Sequence, residues 1–105
     1  MADRRWDLLT GARPELVCAF ADDGVRRVEF VAAFAGQKAI AVWLGTTSDA
    51  EAELLRRSTG LLERVAPVLR TAGFTESELG ELVVVVQSQQ TVDRDYAGSW
   101  SHALH

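Results

Sequence analysis

Apolar positions along the 105-residue chain change period several times. Over 15–22, Leu16, Cys18 and Phe20 alternate with Val17, Ala19 and Ala21, which is the period of a β-strand. Asp22-Asp23-Gly24 follows as a tight-turn signal, because Gly24 takes positive φ without a Cβ penalty. Alternation resumes over 25–35, with Val28, Phe30, Ala32 and Phe34 opposed to Arg27, Glu29, Val31 and Ala33. After a turn at Gly36-Gln37, residues 38–46 set Ile40, Val42 and Leu44 against Ala39, Ala41 and Trp43. Three strands joined by two short turns predict an antiparallel meander. Upstream, residues 3–10 suit a short helix stopped by Gly11 and Pro14.

From residue 49 the spacing becomes helical. Ser48 and Glu51 make an S-x-x-E capping box, and Gly73 is placed as a left-handed stop. Between them Leu54, Ser58, Leu61, Val65, Val68 and Ala72 recur in steps of four and three, with Leu55, Leu62 and Leu69 alongside. One helix over 49–72 is predicted, with Leu61 and Val65 deep in the core. Gly60 and Pro67 fall on its opposite, wet side. Thr75 and Glu78 make a second capping box, with Phe74 placed to staple against Leu79. A fourth strand is expected over 81–92, central in the sheet because Leu82 to Val86 is apolar on both faces. Residues 93–98 read as a turn, and 99–104 as a possible fifth strand.

The chain therefore reads as one α+β domain over 1–105. Its antiparallel sheet has four to five strands: the meander, then the long helix, then one or two strands. One long helix covers one sheet face, and the side carrying Phe20, Phe30 and Val42 has the larger residues. The opposite side is not polar, as a solvated face would be. Val31, Ala33, Ala41 and Trp43 mark it as an interaction surface, covered by the N-terminal segment around Trp6, by a second copy or by another protein. A homodimer anchored by Trp43 is expected, with edge pairing of 38–46 as its variant. The order of elements resembles that of the small acidic dimeric chaperones of bacterial secretion systems. That likeness implies protein binding and transfers no residues.

Composition narrows the classes. The net charge of −4 and the lack of a Lys/Arg-rich face leave nucleic acid and anionic membranes little to bind. No apolar run approaches the ~20 residues of a membrane span. A single cysteine, Cys18, expected inside the core, fits a reducing cytoplasm. Ten of the eleven basic residues are Arg, in keeping with GC-rich bacterial coding.

No motif for a cofactor or metal is present, and neither is expected. The function that follows is a non-enzymatic, self-associating interaction module of the bacterial cytoplasm. The alternative is a small enzyme or ligand binder built on Asp93, Asp95, Tyr96 and His102, where two carboxylates, a phenol and an imidazole fall near one turn. D-x-D is a weak motif, and carboxylates in turns are commonly caps and surface ion pairs.

Overall fold

A computed structural model describes residues 4–32 and 40–100. Its first departure from the expected order lies at the N-terminus. Leu9, Ala12, Leu16 and Phe20 are spaced by three and four, and all four are buried. That helical stripe prevails over the alternation of 15–22, so α1 runs Arg4–Ala19 through Gly11 and Pro14. Pro14 is exposed, so the hydrogen bond it cannot make is lost on the wet side of the helix. Cys18 is exposed on α1 rather than buried in the core. A single 3₁₀ turn, Ala21–Asp23, and Gly24 at φ 87° lead into β1 (Val25–Ala32).

β1 pairs antiparallel with β2 (Ile40–Thr46). A bulge between Val25 and Arg27 shifts the register, so Val25 and Val28 both reach the core although three residues apart. Residues 33–39, with Ala33 and the expected turn at Gly36-Gln37, lie outside the described residues. β3 (Leu82–Ser88) then pairs parallel with β2, Val84 opposite Val42 and Ser88 opposite Thr46. Among the described residues the sheet is three-stranded, in the order β1-β2-β3, and mixed; most of the expected strand over 99–104 lies outside those residues. This corrects the expected antiparallel sheet of four to five strands. The run Leu82–Val86 sits at an edge rather than the centre, and 15–22 adds no strand. The chaperone likeness rested on that element order and lapses with it.

A parallel pair needs a crossover, and residues 49–79 supply it as three helices rather than one. They are α2 (Asp49–Arg57), α3 (Leu61–Ala72) and α4 (Glu76–Leu79). Ser58-Thr59-Gly60 breaks the expected 49–72 helix: Ser58 is extended and Gly60 takes φ 79°. Serine and threonine are mediocre helix formers and glycine a poor one, so the break coincides with the weakest three residues. It also changes which residues face inward. Leu55, Val65 and Leu69 are buried, Leu61 only partly, while Leu54 and Leu62 are 69% and 47% exposed. Both capping boxes form with both arms: Glu51 N–H donates to Ser48 Oγ at 3.2 Å, and Glu78 N–H to Thr75 Oγ1 at 3.2 Å. Pro67 is exposed within α3, as its position predicts.

α1 lies on the same side as the crossover. Arg64 of α3 donates to the Ala19 carbonyl at 2.9 Å and to Asp23 at 2.7 Å, with its guanidinium 4.1 Å from the Phe20 ring centroid. Leu9, Leu16 and Phe20 join Val42, Leu44, Val65 and Leu69 in one core. Trp6, Leu8 and Leu9 therefore do not cover the opposite face.

Replacing Leu69 with Ala should cost about 2–5 kcal/mol by leaving a cavity. Leu62→Ala should stay within about 0.5 kcal/mol, as for an exposed site. Urea unfolding of the two variants checks the break, since an unbroken 49–72 helix sets both leucines on one stripe.

Candidate interaction surface

β-strand side chains alternate, so one register fixes both faces. With Ile40, Val42 and Leu44 buried under the helices, Ala41, Trp43 and Gly45 of β2 point the other way. Their partners are Val31, Glu29 and Arg27 on β1, and Val83, Val85 and Gln87 on β3. The middle of this second face is Val31, Ala41, Trp43, Val83 and Val85, an apolar patch across all three strands. Val31 is 39% and Val83 52% exposed, while Ala41, Trp43 and Val85 are partly exposed.

One end of the face is closed by the chain after β3. α5 (Gln89–Asp95) starts directly from Ser88 and is followed by Trp100, which is 5% exposed and packs with Val92. Trp100 lies on Gly45: a Cβ there would sit 2.8 Å from the indole ring. The indole N–H donates to Gln89 Oε1 at 2.7 Å, and the Arg27 guanidinium is 5.1 Å from the ring centroid. Arg27 also donates to Glu29 at 2.8 Å. The patch thus has an aromatic stop and a rim holding both charge signs.

The C-terminal ends of β2 and β3 carry the densest polar cluster. Asp49 opens α2, and its Oδ1 accepts from the hydroxyls of Ser88 and Thr91, the latter at 2.8 Å. Its Oδ2 accepts from Arg94 at 3.2 Å, and its N–H donates to Gln90 Oε1 at 2.7 Å. Ser88 is fully buried and caps α5 by accepting from Thr91 N–H at 3.0 Å. Those hydroxyl donors, then Arg94, hold the Asp49 carboxyl down from 3.8 to about 2. Glu51, bonded to Ser48, is lowered as well. The cluster bolts α2 to α5. The Ser88 hydroxyl donates to Asp49 and accepts from the Thr91 N–H, the bonding of a helix cap.

Asp93, Arg94 and Asp95 lie on α5, where a turn was expected. Asp93 accepts from Gln89 at 2.8 Å, Asp95 pairs with Arg94 at 3.3 Å, and both carboxylates are exposed. Positions two apart on a helix point to different sides, so α5 does not bring them together. Tyr96 is 36% exposed at the helix end, and His102 lies outside the described residues. No metal-holding cluster of acidic, His or Cys side chains occurs among the described residues. Of the expected interaction residues, Val31, Ala41 and Trp43 share one face; Ala33 lies outside the described residues. Sequence reasoning missed Val83 and Val85, although a run apolar on both faces is their signal. The docking of Trp100 on Gly45 has no local sign in the sequence. No family model, curated protein or solved structure matches the chain.

Gly45→Ala should destabilise by about 1–3 kcal/mol, the usual cost of overpacking, and red-shift tryptophan emission as Trp100 is displaced. An unshifted spectrum contradicts the docking. Asp49 is held ionised in the fold, so its stabilisation is complete above about pH 4 and lost as pH falls towards 2. The urea midpoint of the wild type should exceed that of Asp49→Asn at pH 6, and the gap should narrow at pH 2.5.

Proposed function

We propose that this protein is a non-enzymatic interaction module that pairs with a second copy of itself through the open face of its sheet. The observation that carries the reading is the apolar patch of Val31, Ala41, Trp43, Val83 and Val85, which among the described residues is capped only at its Gly45 end by α5 and Trp100, while α1, α2 and α3 pack on the other side. A two-fold contact sets a patch against itself. The Arg27 and Glu29 rim supplies both signs, so it does not repel its own image. An apolar centre with a polar rim is the usual anatomy of such contacts, and Trp43 is the natural anchor. Pairing through the edge of 38–46 is not available, because β2 is the central strand. Among the described residues no helix is long and apolar enough to cross a membrane. A free, exposed Cys18 suits a reducing compartment, and we assign the protein to the cytoplasm on that basis.

Sedimentation equilibrium at micromolar concentration should give twice the 11.5 kDa chain mass. Val83→Glu and Val31→Glu place a charge on the exposed face and should return the mass to one chain with unchanged circular dichroism. A wild-type mass of one chain overturns the proposal.

A further inference from the structure

On the helical side of the molecule, α1 and α3 run antiparallel. Leu8 lies against Gly73 at the C-terminal end of α3, and Phe20 lies beneath Arg64 near its start. Between the two helices runs an open groove of about 640 Å³. Leu8, Ala12, Val68 and Ala72 line it with Pro67, and the carboxylates of Asp7 and Glu15 flank it on the α1 side. We propose that this acid-flanked apolar groove between α1 and α3 is a docking site for a basic amphipathic helix. The site is separate from the sheet face.

The first argument is charge. Among the described side chains neither Asp7 nor Glu15 has an ion pair, whereas Arg64 pairs with Asp23, Arg70 with Glu76 and Arg13 reaches towards Glu29. Two carboxylates beside an apolar floor favour a cationic occupant and steer its approach. They also argue against a second copy, because a two-fold contact through this groove sets Asp7 and Glu15 against their own images. The second argument is shape. Gly11 lines the groove in the interior of α1, and a Cβ added there meets nothing within 4 Å. Glycine is among the poorest helix formers, so no internal contact explains its presence, and it keeps the groove deep where a helix would lie. The third argument is spacing. Asp7 and Glu15 are eight residues apart on one helix, about 12 Å at 1.5 Å per residue. A docked helix with apolar residues at i, i+3, i+4 and i+7 presents basic residues seven or eight apart at the same interval.

The probe is an 18-residue Leu/Lys amphipathic helical peptide, titrated calorimetrically into the full chain beside a Leu/Glu peptide of the same pattern. The Leu/Lys peptide should bind and the Leu/Glu peptide should not. Combining Asp7→Asn with Glu15→Gln should weaken binding at least tenfold and flatten its salt dependence. Gly11→Leu, which fills the groove, should abolish binding with circular dichroism unchanged, and Val83→Glu should leave affinity as in the wild type. Equal binding of both peptides, or affinity indifferent to the charge variant, overturns the proposal. So does loss of peptide binding in Val83→Glu, which assigns the peptide to the sheet face instead.

Discussion

The parallel pairing of β2 with β3 governs where everything else can go. Antiparallel neighbours can be joined by a hairpin, but parallel ones require the chain to travel back across a sheet face. Here residues 49–79 make that journey as α2, α3 and α4, and they bury Ile40, Val42 and Leu44 as they pass. α1 then docks beside α3, tied by Arg64, because the stripe from Leu9 to Phe20 needs the same apolar layer. All the large helices thus lie on one side. The other side is left with α5 and Trp100, which reach only the Gly45 end.

Two polar devices hold this lopsided arrangement. Arg64 fastens α3 to the end of α1, and Asp49 fastens the start of α2 to α5 at the strand ends. Each joins elements far apart in sequence where the apolar core thins out. Exposed ion pairs contribute little alone, about 0–1 kcal/mol. The Asp49 cluster differs because it satisfies a fully buried serine and the first N–H of α2 together, so its loss also strands capping groups. Both devices leave the patch around Trp43 untouched.

Much of the local structure was legible in the residues. The capping boxes Ser48/Glu51 and Thr75/Glu78, the turn at Gly24, and the alternation of Val28, Phe30, Val42 and Leu44 all act through nearest neighbours. Each appears in the structure as its spacing implies. The failures arose where two periods fit the same residues or where the partner was remote. Leu16, Cys18 and Phe20 alternate, yet Leu9, Ala12, Leu16 and Phe20 also step by three and four; Gly11 and Pro14 hid the second pattern. Ser58-Thr59-Gly60 was legible as a weak point, but its effect on the facing of Leu54 and Leu62 depends on where α3 meets the sheet. Strand direction leaves no mark at residue level beyond the continuous Leu82–Val86 run, which suits a parallel strand as well as a central one. The patch was partly legible, since Val31, Ala41 and Trp43 follow from alternation alone. Val83 and Val85 joined it only once β3 was placed parallel beside β2.

Helices cover one face of the sheet, and the other is apolar and exposed around Val31 and Val83, where the proposed second copy would cover it. Solvent paramagnetic relaxation of the valine methyl signals by a neutral gadolinium chelate, followed on dilution, measures this directly. In dilute solution Val31, Val83 and Val85 should relax strongly and become protected as concentration rises, while Val28, Val42 and Val65 stay protected throughout. Protection of Val31 and Val83 at every dilution, or equal relaxation of both sets, contradicts it.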